Sequence, residues 1–363
     1  MSHYEERLER DLNTIRERVR AVGEQVEKAL KQAVHALLIH NRQLAAEVVL
    51  GDMPINREVR AIDAQCHAFV AQHLPSAGHL RFVSSVLRLN IELERIGDYA
   101  VAMAREVQQL SGPPPDTVLR DIDLIADQAK LMLHRALRSF HEGNAEMAHS
   151  TKAMGQQVDS TFQKVFADLL VEGEKPGRSL KDLFALLVVI NRLGRVSDQA
   201  KNICEETVFA VTGETKAPKT YRILFIDERN DGYSQLAEAF ARKVFPESGR
   251  YASAGWQPAS SLDVGVARFL DSHGFSVEDL KPTLLDLPVE ELGDYHVIVN
   301  LGQGKEAPLP GVPFHTVLLD WDVGPSPVDL DQERADALIE EVHKELSTRI
   351  RELMEQLRGE GAG

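Results

Sequence analysis

From Tyr4 to Thr212 the apolar residues return at helical spacing, as in Leu8, Leu12, Ile15, Val19, Val22 and Val26, with good helix formers filling the positions between. This pattern predicts a nearly all-helical first half. Breaker clusters divide it at Gly51-DM-Pro54, His73-LPSA-Gly78, Ser111-GPPP-Asp116, His141-EG-Asn144 and Val171-EGEKPGR-Ser179. Six long helices are expected, in two sets of three spanning 1–111 and 116–213. The sets read as repeats, because an offset of one hundred residues places Asp98 on Asp198 within similar helices. A duplicated three-helix unit implies an antiparallel bundle with small crossing angles, and Gly97 and Ala100 permit close helix approach.

After a short charged linker, 214–219, the period changes to that of strands. Tyr221-RILF-Ile226, Tyr295-HVIVN-Leu301 and Phe314-HTVLLD-Trp321 read as strands, and Ser234-QLAEAFARKVF as a helix. Their alternation predicts an open parallel α/β sheet over 220–330. An amphipathic helix from about Gln332 to Leu357 closes it, and the whole segment 331–363 reads as helix and tail. The fold class is multidomain: a tandem three-helix bundle, then an α/β sheet.

Composition narrows the function. The formal net charge of −15 is uneven: residues 219–363 carry 26 Asp and Glu against 14 Lys and Arg, so residues 1–218 hold only −3. Neither half has the basic excess needed to grip a phosphodiester backbone, which argues against nucleic acid as a direct partner. Cys66 and Cys204 lie in apolar helical surroundings and read as buried thiols, too few for a disulfide framework. The charged start Met1-SHYEERLERD-Leu12 lacks the apolar stretch of a secretory signal, and no apolar run reaches membrane length. A soluble, cytoplasmic protein without membrane insertion is expected.

Candidate chemistry in the helical half centres on Glu94-Arg-Ile-Gly-Asp98, where two carboxylates four residues apart share one helix face. Asp52 and Asn56 form a second i, i+4 oxygen pair on the preceding helix. Two such pairs face to face would offer four hard ligands to Mg, Mn, Fe or Ca. Glu92 falls on another face. On spacing alone, acidic residues four apart with Arg95 between them are more often a solvated, salt-bridged helix face. Pro54 lies between Asp52 and Asn56, so Asp52 as a helix N-cap with Pro54 in the first turn is an alternative to ligation. His35, His40, His67, His73 and His79 show no paired spacing and read as ordinary helix residues.

Asn90-IELERIGDYA-Val101, together with Leu74-PSAGHLRFV, Leu93-ERIGDYAVAMA and Val211-TG-Glu214, resembles the PhoU family over residues 1–213. That resemblance implies paired three-helix bundles whose acidic turns hold metal clusters, one per repeat. It implies a role in reporting phosphate status between a phosphate transporter and a sensor kinase. It carries the ligand roles to Asp52, Asn56, Glu94 and Asp98. The matching positions of the second repeat are Gly155, Asp159, Gly194 and Asp198, where half the ligands are gone, so no second metal site is expected. The partners implied are a phosphate-transporter ATPase or a sensor histidine kinase, with a homodimer also expected.

In the second half, Arg222-ILFIDERNDGYSQLAEAFARKVF and Tyr251-ASAGWQPASSLDVGVARFLDSHGF resemble low-molecular-weight protein tyrosine phosphatases and arsenate reductases. That family carries C-x-x-N-x-x-R-S, a Cys nucleophile and a phosphate-clasping Arg at a helix N-terminus. Here the stretch reads Asp227-ERNDGY-Ser234, with Asp227 at the Cys position and Tyr233 at the Arg position. Only Asn230 and Ser234 match. Asp227, Glu228 and Asp231 together would repel an oxyanion, each contact at ~4 Å costing on the order of 4 kcal/mol at an effective dielectric near 20. The general-acid position falls near Ser326 in Trp321-DVGPS-Pro327, with Asp322 as the nearest substitute. A pseudoenzyme serving as a binding or packing module is therefore expected. The competing readings are a phosphatase or arsenate reductase working through Asp227, Asn230 and Ser234, an Asp227 phospho-acceptor, and a cation held by the three acidic residues.

Overall fold

The computed structural model describes residues 3–359 except 176, 178, 216–218, 278, 303, 306, 314–315 and 325–331. The chain divides into two compact units, Met1–Lys216 and Ala217–Gly363.

The first unit contains α1 (His3–Leu38), α2 (Arg42–Gln72), α3 (Ala77–Gln109), α4 (Asp116–Glu142), α5 (Ala145–Ala153), α6 (Gly155–Gly173) and α7 (Leu180–Thr212). The period read from the sequence is what they bury: Leu12, Ile15, Val22, Val26 and Leu30 of α1 are fully enclosed. They meet Ile62 and Cys66 of α2, Val86, Leu89, Leu93 and Ile96 of α3, and the corresponding residues of α4 and α7 in one continuous core. Each such aliphatic side chain contributes roughly 1.5–3 kcal/mol of transfer free energy. The third helices of the two sets, α3 and α7, make the most extensive helix–helix contact of the unit.

Two boundaries differ from the sequence reading. The first break is not at Gly51-DM-Pro54 but at Ile39-His40-Asn41, where His40 takes a positive φ of 49° and Asn41 caps α2 by accepting from the Leu44 N–H at 3.0 Å. Pro54 therefore sits inside α2. The missing backbone bond costs about 3 kcal/mol, and the helix continues because Val48, Ile55, Val59 and Ile62 hold its buried face on both sides of the proline. The fifth of the six expected helices is split at Met154 into α5 and α6.

The second unit contains β1 (Tyr221–Asp227), α8 (Tyr233–Val244), β2 (Gly249–Gly255), α9 (Val264–Ser272), α10 (Val289–Leu292), β3 (Val297–Asn300), β4 (Val317–Asp320) and α11 (Gln332–Arg358). All four strands are parallel, in the order β2-β1-β3-β4. Alternate residues of β1 face opposite sides: Ile223 and Phe225 join α8, α9 and α11 in one core, and Leu224 and Ile226 join Ala254, Leu292 and Ile298 in another. The C-terminal helix belongs to this core through Ile339, Val342, Leu346, Ile350 and Met354. Phe314 and His315 of the expected last strand lie outside the described residues.

Candidate functional site

In the first repeat, the turn of α2 that carries Asp52 and Asn56 faces the turn of α3 that carries Gly97 and Asp98. A Cβ on Gly97 would stand 3.5 Å from Asp52 Oδ1, so the glycine lets the carboxylate lie against the α3 backbone. Asn56 Nδ2 donates to Asp52 Oδ2 at 2.7 Å. Asp52 Oδ1 and Asn56 Oδ1 are buried and have no hydrogen-bond partner among the described residues. Burial and then the charge of Asp98 push the Asp52 carboxyl above its ordinary range, against the Asn56 hydrogen bond and Arg105.

Of the four ligands implied by resemblance, Asp52, Asn56 and Asp98 thus converge. Glu94 is half-buried on α3. Among the described residues no group of three or more His, Cys, Asp or Glu side chains is placed to hold a metal ion, so Glu94 does not complete one with Asp52 and Asp98. The N-cap alternative for Asp52 is overturned, since Asn41 caps α2 and Asp52 lies well within it. Two unpartnered buried oxygens beside a nearby carboxylate fit a hard cation.

The second repeat is built differently. Lys201 Nζ pairs with Asp159 Oδ2 at 3.1 Å and with Asp198 Oδ1 at 3.3 Å. Arg195 approaches Asp198 from the other side at 3.6 Å. Sequence reasoning passed over Lys201, because besides Asp198 on its own helix it pairs with Asp159 on α6, 42 residues away.

In the α/β unit, Asp227 ends β1 and its carboxylate turns into the following loop. Asp227 Oδ1 accepts from the Asn230 N–H at 2.5 Å, and Oδ2 from the Ser234 N–H at 2.9 Å. The N-cap of α8 is Gly232, which offers no side chain, so Asp227 supplies from the strand the acceptor that the helix N-terminus needs. Its carboxyl is pushed up by burial, which outweighs these bonds.

Asn230 is fully buried at φ 48°, a conformation asparagine tolerates better than most residues. Its Nδ2 donates to Ser234 Oγ at 2.8 Å, and its Oδ1 accepts from Gln235 Nε2 at 3.0 Å and the Thr283 N–H at 2.7 Å. Opposite Asp227 in register is Gly255, where a Cβ would lie 2.8 Å from Asn230 N and 2.9 Å from Glu228 O. Gly255 and Thr283 were missed in the sequence, since β1–β2 pairing and the bridge between Gly255 and Leu284 bring them to the loop, and Gln235 because it follows the motif as a residue of α8.

The expected pooling of negative charge is partial, with Asp231 still acting to raise the Asp227 carboxyl. Glu228 pairs with Lys305 at 2.5 Å and Asp231 with Arg229 at 2.8 Å, so two of the three carboxylates are locally compensated and do not converge with Asp227 on a cation. Tyr233, at the position of the phosphate-clasping Arg, is buried, and its phenol is pushed up by burial and by Asp263. Asp322 is exposed and accepts from the Gly324 N–H at 3.1 Å. Ser326 lies outside the described residues. The thiols of Cys66 and Cys204 are buried, and burial pushes both up to about 12. No helix among the described residues is long and apolar enough to cross a membrane.

Comparison with known proteins places these features. The profile of the PhoU domain matches residues 19–107 and again 122–207, one match per helical set. A Pseudomonas putida protein, a phosphate-specific transport system accessory protein PhoU homolog, is 30% identical over 213 residues, covering 58% of this chain and 83% of that one. The crystal structure of PhoU from Pseudomonas aeruginosa is similar at 30% identity and a TM-score of 0.54, over 57% of this chain and 99% of its own. A thioredoxin-dependent arsenate reductase from Corynebacterium glutamicum aligns at 22% identity and a TM-score of 0.32, over 58% of this chain and 94% of that one.

Proposed function

This chain belongs to the PhoU family, and from that premise we propose that it is a cytoplasmic accessory regulator of phosphate transport which works by docking rather than by catalysis. The observation that carries the reading is the doubled helical set, matched by the family profile once in each repeat. The helical unit is the docking body, with a phosphate-transporter ATPase or a sensor histidine kinase as its partner and a second copy of the chain as a further one.

The α/β unit is a silent relative of the low-molecular-weight phosphatases. Support comes from Asp227, which occupies with its own carboxylate two of the loop amides that a bound oxyanion would use. A phosphate oxygen brought to those amides would displace a buried carboxylate or lie against it. With Tyr233 in place of a cation and Arg229 paired with Asp231, that repulsion is not offset by a cation at the clasping position.

Asp52, Asn56 and Asp98 are the residues that would hold a hard divalent cation. Such an ion would supply positive charge that keeps Asp52 ionised and ties α2 to α3.

The test is direct binding of the purified full chain to the purified ATPase subunit of the phosphate transporter from the same organism. Saturable binding is expected. Its absence for both the ATPase and the sensor kinase, with the chain folded, would refute the docking role.

A further inference from the structure

The two repeats treat the same place in opposite ways. In the first, position 52 is Asp, position 101 is Val, and two buried oxygens are left without partners. In the second, the counterpart of Asp52 is Gly155 and the counterpart of Val101 is Lys201. Val101 is buried and carries no charge, whereas the Lys201 side chain runs across Gly155 to the carboxylates. A Cβ built on Gly155 would fall 2.1 Å from Lys201 Cε and 3.0 Å from Nζ. That is inside contact distance, so a side chain at 155 would displace the flexible lysine from this path. The ammonium then meets Asp159 and Asp198 at 3.1 and 3.3 Å. The lysine side chain is 23% exposed, so its stem is largely covered while its charge is delivered to the carboxylates.

We propose that Lys201 is a tethered cation that permanently fills the second repeat's ion position, with Gly155 as the notch that admits it. Loss of the Asp at 155 and gain of the Lys at 201 are then one change rather than two. A divalent ion is excluded from this repeat by charge and by volume, and not only by the shortage of ligands. The chain is left with one repeat open to cations and one closed. The inference rests on the cation reading of the first repeat for that contrast only, and its test is arranged to be independent of it.

Isothermal titration of Mn2+ into the full chain carrying D52N and D98N removes the first repeat from the measurement. No binding by the second repeat is expected in that background. Adding G155D and K201V, which removes the lysine and places carboxylates at 155, 159 and 198 where the first repeat has Asp, Asn and Asp, is expected to create one Mn2+ site per chain. A site already present before those changes and lost with D198N would overturn the proposal. So would failure of the folded restored variant to bind. Thermal unfolding supplies a readout that needs no metal: G155A and K201V should change Tm non-additively, since either one breaks the Lys201 contacts with Asp159 and Asp198. Additive effects in the double variant would show that Gly155 and Lys201 are not coupled.

Discussion

Gln199 Nε2 donates to Tyr99 Oη at 3.4 Å across the α3–α7 contact, and the two residues occupy the same position in the two repeats. Equivalent positions of a duplicated unit touch each other only near the axis that relates the copies, so this pair marks where the two helical sets are joined. The Arg192 guanidinium lies over the Tyr99 ring at 5.4 Å and adds a cation–π contact to the same seam.

The bond is long, so Tyr99→Phe is expected to cost no more than about 0.5–1 kcal/mol in urea unfolding of the full chain. Leu93→Ala, which removes a fully buried side chain from α3, should cost about 2–5 kcal/mol. A reversed order would mean that the seam is held by its polar groups rather than by its core.

Gly255→Ala drives a methyl group into Asn230 and the Glu228 carbonyl. Destabilisation of the α/β unit by about 1–3 kcal/mol is expected from overpacking. Chemical denaturation followed through Trp256 and Trp321, both in this unit, reads it without interference from the helical unit, which contains no tryptophan.

The intact protein is expected to show no turnover of para-nitrophenyl phosphate, and Asp227→Ala is expected to leave that unchanged. Measurable activity that disappears with Asp227→Ala would instead assign the residue a catalytic role.

Acid should loosen the α/β unit. His343 of α11 lies among Phe240, Phe269, Phe275 and His273, and its buried Nε2 has no hydrogen-bond partner among the described residues. Burial, then the neighbouring His273, hold its pKa below 6.5, against the pull of Glu340. Lys243, over Phe275, and Arg351, over Phe240, add positive charge to the same surroundings. The unfolded chain therefore takes up the proton first. The stability that His343 contributes is complete above pH ~6.5 and is lost as pH drops below it, opposed by Asp227 and Glu238, whose raised carboxyls favour the fold in acid. His296, lowered mainly by burial, acts in the same direction. His343→Phe should flatten the dependence and leave the share due to His296.

Much of this was legible in the chain because the signals were local. The change from helical to strand period at 213–221 needed only the order of apolar residues, and the i, i+4 spacing placed Glu94 and Asp98 on one face. The errors arose where tertiary packing overrode a local rule. Gly51 and Pro54 look like a helix break, yet α2 is held through them by its buried face, while the true break depends on the cap that Asn41 forms. The strand β2 escaped notice because Gly249-RYASA-Gly255 has few large apolar residues, its last glycine being required by contact with Asn230. The loop sequence showed that Cys and Arg were absent. It did not show that Asp227 turns back onto the amides of Asn230 and Ser234, nor that Lys201 spans two helices to reach Asp159 and Asp198.

Phosphate uptake tests the central claim most directly. In cells of the source organism lacking this chain, orthophosphate uptake under phosphate-replete conditions should rise, and the full chain or its Asp227→Ala variant should restore restraint equally. Uptake that is unchanged by loss of the chain would contradict the regulatory account, and restoration that depends on Asp227 would contradict its non-catalytic basis.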